Sequence, residues 1–153
     1  MTRIVDEGHT LGNHLTEDRP SIRDNLKTFE GKIKECENAI MKYQIRGRGK
    51  HAHKMKSKWL RPASGWFTSQ MFHVIQKHGY RVCLGSVYPH DAQIKSEFIN
   101  SLYLKNRTKS GSILLVHDRP WTIGVLKEAL PDLTSDFKFI SVDELYDLHE
   151  SKS

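Results

Sequence analysis

The clearest periodicity in the chain begins at Ser21, after which Ile22, Leu26, Phe29, Ile33, Cys36 and Ile40 recur in steps of three and four. That spacing lines one face of an α-helix, and Ser21 is a residue type that caps a helix start with its side-chain oxygen. A second helix is expected over Thr68 to His78, with Met71, Phe72 and Ile75 inward and Gly79 as its stop. Further helices are expected over 93–107, Thr122 to Ala129 and Asp143 to His149, while residues 3–9 read as a helix end halted by Gly8. Between them lie short apolar runs at Thr10 to Asn13, Trp59 to Arg61, Tyr80 to Val87, Ser112 to Val116 and Lys138 to Val142. In Ile113-Leu114-Leu115-Val116 the apolar residues are continuous rather than alternating, the pattern of a strand covered on both faces. Strands alternating with helices predict an α/β fold with a mainly parallel sheet.

One stretch breaks this order. Residues 44–58 contain two glycines, few apolar residues and six cations (Arg46, Arg48, Lys50, Lys54, Lys56, Lys58) with no acid, and read as a basic loop insertion. The chain of 153 residues has a formal net charge of +6, but removing these six leaves 18 basic against 18 acidic residues. The excess is therefore local. Six cations without an interleaved aromatic would hold phosphate only non-specifically, so no specific nucleic-acid partner is expected.

The length fits one domain over 1–150 with a tail at 151–153, and 37% hydrophobic residues suffice for a core. No apolar run is long enough for a membrane segment, and the polar start MTRIVDEGHT predicts no secretory signal, hence a cytoplasmic setting by default. Cys36 and Cys83 both fall in apolar patterns and make neither a disulfide framework nor a paired metal motif.

The chemistry gathers where the apolar runs stop, as it does at the carboxyl ends of strands in α/β folds. Leu114-Leu115-Val116 ends in His117-Asp118, the run at Trp59 ends in Arg61-Pro62-Ala63-Ser64-Gly65-Trp66-Phe67, and the first short strand leads to His14-Leu15-Thr16-Glu17-Asp18. In this order, together with Tyr88-Pro89-His90-Asp91-Ala92, the segments resemble those of the polysaccharide deacetylase family over roughly residues 3–148. That family, also called the NodB-homology or chitin deacetylase-like fold, consists of distorted (β/α) barrels that remove acetyl groups from sugars with a divalent metal, usually zinc.

The resemblance implies a role for each segment. The family's His-x-x-x-His metal motif falls on His14 and Asp18, a carboxylate standing where the second histidine would be. Arg61 falls on the arginine that orients a catalytic aspartate, a task suited to its planar fork. Asp91 falls on the aspartate that orients the acid histidine, while the groove tryptophan beside it is Ala92 here. The Leu-x-His motif matches Leu115-Val116-His117, giving Leu115 to the acetyl pocket, with Trp66, and making His117 the general acid that protonates the leaving group.

The family's first motif, an apolar strand ending in Asp-Asp that supplies the base and a metal ligand, has no match. Only 13 residues precede His14, and Asp6-Glu7-Gly8 lies in a polar helical stretch. Loss of a general base costs about 10²- to 10⁴-fold in rate. The expectation is thus an incomplete barrel of the NodB type: a metal-dependent hydrolase of non-peptide carbon–nitrogen bonds in N-acetylated carbohydrate, inactive where the base is missing. An exposed barrel edge would favour self-association. The alternatives are a non-catalytic carbohydrate-binding fragment or pseudoenzyme and, below it, a basic nucleic-acid-binding protein. A phosphohydrolase of the His-Asp type fits less well, because it sets that pair on helices and residues 113–116 read as a strand.

Overall fold

In the computed structural model, which describes residues 1–46 and 58–151, a five-residue helix α1 (Thr2–Asp6) precedes the long helix α2 (Leu26–Arg46). The start of α2 corrects the sequence reading. Ser21 belongs to a separate 3₁₀ turn, Ser21–Arg23, and it is Asn25 whose side chain accepts from the Thr28 amide at 2.8 Å. Ile22 and Leu26 consequently lie outside the buried stripe and are exposed, while Phe29, Ile33 and Ile40 are buried. The other end corrects the loop boundary: α2 runs through Arg46, and Lys58 already belongs to strand β1 (Lys58–Leu60). The intervening 47–57, with most of the basic cluster, lies outside the described residues.

The chain divides into two units, Met1–Cys83 and Leu84–Ser153. In the first, β1 leads through a turn at Ala63–Gly65 to helix α3 (Ser69–Lys77) and strand β2 (Tyr80–Val82). Thr68 caps α3 by accepting from the Met71 amide, and Gly79 takes the left-handed conformation (φ +72°) that lets the chain reverse into β2. β1 and β2 are parallel, with Lys58, Trp59 and Leu60 opposite Tyr80, Arg81 and Val82. The expected strand at Thr10–Asn13 reduces to one parallel bridge between Asn13 and Leu60. The core joins Leu15, Phe29, Ile33, Leu60, Met71, Ile75 and Tyr80. Each large apolar side chain fully buried there contributes about 1.5–3 kcal/mol of transfer free energy. Phe72, expected inward, is only half-buried against Phe67, and Cys36 and Cys83 are likewise half-buried.

The second unit holds helices α4 (Glu97–Arg107), α5 (Thr122–Asp136) and α6 (Val142–Glu150). Ser96 caps α4, and Ser141 with Glu144 forms a reciprocal capping box on α6. Val87, Leu104, Val125, Ala129 and Leu133 make its core. Three expectations change here. The strand at 112–116 shrinks to one parallel bridge, Val87 to Leu114, and its side chains are half-buried because no further strand among the described residues covers them. Helix α5 passes through Pro131 rather than stopping at Ala129, since Val125, Ala129 and Leu133 keep burying one stripe while Pro131 itself is exposed. No strand forms at 138–142, where Phe139 is exposed. The fold is α/β with a small parallel sheet.

Candidate functional site

The sequence-selected residues form two clusters, one in each unit. In the second unit, the parallel pairing of residues 86–87 with 113–115 carries the chain to His117: Val87 N donates to Ile113 O at 3.2 Å and Leu115 N to Val87 O at 2.9 Å. His90 supplies the matching turn. It has φ +62°, a region that costs a non-glycine residue energy, and its carbonyl accepts from the Gln93 and Ile94 amides. That turn delivers Asp91 to a position with 0% exposure.

A buried carboxylate is costly unless its oxygens are filled, and here they are. Asp91 Oδ2 accepts from the His117 amide at 2.7 Å and from the Thr122 hydroxyl at 2.9 Å, and Oδ1 lies 2.9 Å from His117 Nδ1. Burial opposes the charge, but the bonds from the His117 amide, its ring and Thr122 prevail and hold the Asp91 carboxyl below its ordinary range. The carboxylate is therefore ionised and can only accept, so His117 Nδ1 carries the proton in that bond and Nε2 is left as the ring's other nitrogen. Trp121 Nε1 adds a bond to the Asp91 carbonyl at 2.8 Å, and Tyr88 stands edge-on to the His117 ring at 5.5 Å. Thr122 and Trp121 were not among the selected residues. Nothing in the sequence ties them to Asp91, 31 and 30 positions earlier.

Leu115 is half-buried, two residues before His117, and packs closely on Gly85, where an added Cβ would lie 2.5 Å from Leu115 Cβ. The glycine is needed for that approach.

In the first unit His14 sits between Asn13 and Leu15, both buried. Asn13 donates to Ile33 O at 2.9 Å and to Tyr80 Oη at 3.2 Å, and its Oδ1 accepts from the Leu15 amide at 3.0 Å. That last bond supports Leu15 in a left-handed conformation, φ +64°, and so fixes the turn on which His14 rides. Its ring meets Arg61 twice, Nδ1 at 2.6 Å from the Arg61 carbonyl and Nε2 at 2.8 Å from the guanidinium. Asp18 Oδ1 is 3.9 Å from His14 Nε2, with its side chain 67% exposed. Arg61 also offsets part of the rise that burial imposes on the Cys83 thiol. Trp66 follows the turn at Ser64 (φ +60°) and is 67% exposed. It lies in the first unit and Leu115 in the second.

A divalent metal needs three or more protein donors in a typical catalytic zinc site. His14 and Asp18 are two, and among the described residues no group of three or more His, Cys, Asp or Glu side chains is arranged to hold an ion. The described donor set does not fit a metal. No helix among the described residues is long and apolar enough to cross a membrane.

No known family's sequence pattern matches the chain, and no curated protein sequence does. Solved structures do. A mutant of a CE4 family pseudoenzyme, described as having restored enzymatic activity, superposes with a TM-score of 0.79 at 18% identity, covering 94% of this chain and 50% of that one. The wild-type pseudoenzyme, from Bacillus anthracis, gives 0.78 at 17% identity over 94% and 48%. Peptidoglycan deacetylase PdaC from Bacillus subtilis gives 0.80 at 19%, over 98% and 69%. The chain thus spans about half the length of the pseudoenzyme structures. At these identities the likeness is one of fold, and the fold is that of CE4 polysaccharide deacetylase domains.

Proposed function

We propose that this chain is a polysaccharide deacetylase-like domain, of the hydrolase class that cleaves non-peptide carbon–nitrogen bonds, which binds N-acetylated carbohydrate through a retained proton-donating half-site and whose 153 residues do not turn it over unaided. The observation that carries this is the buried Asp91 holding His117 by ring and amide together.

Deacetylation adds water to the amide carbonyl carbon, and the tetrahedral intermediate then breaks its carbon–nitrogen bond. The departing amine must gain a proton. With Nδ1–H directed at Asp91, Nε2 of His117 is the atom positioned to give it, and Asp91 stabilises the doubly protonated ring before transfer. Leu115, half-buried two residues before His117, supplies an apolar wall for the acetyl methyl group. By motif order His14 and Asp18 fall on the family's metal motif and Arg61 on its arginine motif, but the described residues supply no complete donor set for a metal. Such a domain would form part of a distorted (β/α) barrel.

Binding without turnover is the reading favoured by that missing set, and the presence of a pseudoenzyme among the structural neighbours is in keeping with it. Exposed Phe98, Ile99 and Leu102 on α4 support self-association, which sedimentation at two concentrations would read.

The test is acetate release from N-acetylated chito-oligosaccharide with added zinc, beside saccharide binding by calorimetry. Saccharide binding weakened in His117→Ala, with no acetate above background, supports the proposal. Absence of binding, or acetate release that depends on His14, contradicts it.

A further inference from the structure

Both ring nitrogens of His14 face Arg61. A carbonyl can only accept, so the Nδ1 atom 2.6 Å from the Arg61 carbonyl carries the ring's proton. A guanidinium can only donate, so Nε2, 2.8 Å from Nη2, is the acceptor. A neutral imidazole has a single in-plane lone pair, the one a metal ion would take, and here it is directed at a cation.

We infer that Arg61 is the resident cation of the His14 position, its guanidinium keeping divalent ions off the ring and clasping the His14 turn to the end of β1. The inference rests on the deacetylase reading only in naming zinc as the ion to test. A guanidinium stays charged at any working pH, so an ion on Nε2 would meet a fixed positive charge at hydrogen-bond range. The backbone already makes the same connection, Asn13 N donating to Trp59 O at 2.8 Å and Arg61 N to Asn13 O at 2.9 Å, so the side chains extend an existing ladder. Asp18 Oδ1 stands 3.9 Å from Nε2, farther than the guanidinium, and no third donor joins the pair among the described residues.

The experiment is a calorimetric titration of zinc into the full chain and into His14→Ala, Arg61→Leu and the double variant. Leucine keeps an apolar stem and brings neither charge nor a metal-binding atom. Zinc binding elsewhere on the chain is common to all four and subtracts out. His14→Ala is expected to bind zinc as the unaltered chain does, and Arg61→Leu to bind it about tenfold or more tightly, a gain absent from the double variant. Zinc binding by the unaltered chain that weakens in His14→Ala would overturn the inference, as would a folded Arg61→Leu with no gain. Imidazole ¹⁵N spectra of the unaltered chain decide the matter if Arg61→Leu fails to fold: a protonated Nδ1 with an accepting Nε2 is expected, and the opposite tautomer overturns the clasp. No saccharide is present, so failure to bind or deacetylate carbohydrate leaves the result intact.

Discussion

Thr122→Val is the most informative single change in the second unit. It swaps a hydroxyl for a methyl of nearly the same size, and removes only the 2.9 Å bond to Asp91 Oδ2. Asp91 keeps both bonds from His117, so the carboxylate is weakened but not orphaned. A hydrogen bond to a charged group contributes about 1.5–3 kcal/mol. The lower end is appropriate because two partners remain, giving a loss of about 1.5 kcal/mol at pH 7. For a chain of this length that is a fall of about 3–6 °C in Tm.

The pH dependence separates this cause from a packing defect. Asp91 is held below its ordinary value in the folded state, whereas in the unfolded chain it titrates near ~3.9. Its contribution is therefore fully present above about pH 4 and fades as pH falls through the lower folded value. Thr122 shares in that contribution only while the carboxylate is ionised. Thermal and urea unfolding from pH 7 down to the lowest pH at which the chain still folds should show the gap between Thr122→Val and the unaltered chain closing as the folded carboxylate takes up its proton. A gap that persists after Asp91 is seen by NMR to be protonated in the folded state would refute the reasoning, as would no gap at pH 7.

Asn13→Ala should cost about 3 kcal/mol or more in urea unfolding, because it strips partners from the buried Ile33 carbonyl, Tyr80 hydroxyl and Leu15 amide together. Gly85→Ala drives a Cβ to 2.5 Å from Leu115 Cβ and should destabilise by about 1–3 kcal/mol. Gly124→Ala instead meets only the mobile carboxyl end of Glu97 and, gaining helix propensity in α5, should be neutral or stabilising by up to about 1 kcal/mol in the same assay. Glu30 bonds His78 at 2.8 Å and is pulled from 4.5 down to about 2 by His78 first and Lys34 next, so Glu30→Gln should lower Tm at neutral pH by an amount that shrinks as pH drops toward 2.

How far the sequence spoke for itself depends on whether the signal was local. Helix α3 was legible at both ends because Thr68 and Gly79 are local devices. The start of α2 was not, since Ser21 and Asn25 are both good caps and only the 3₁₀ turn between them decides. Strand lengths were overestimated for a related reason. Apolar runs at 10–13, 112–116 and 138–142 have strand character, but pairing needs neighbours that a run cannot reveal. At the site, motif order points to an Asp91–His117 contact, and the two side chains lie 2.9 Å apart. Arg61 on His14 was not anticipated, because residues 47 positions apart carry no sequence mark of contact. Thr122, at the start of α5, escaped notice in the same way.

We propose that His117, set by Asp91, faces bound N-acetylated carbohydrate without turning it over. The direct measurement is an NMR titration of the full chain with N-acetylated chitotetraose, following the His117 ring and Leu115 methyl signals while acetate is read in the same tube. The account predicts saturable shifts of both signals and no acetate. Unmoved His117 and Leu115 signals at saturating saccharide, or accumulating acetate, would contradict it.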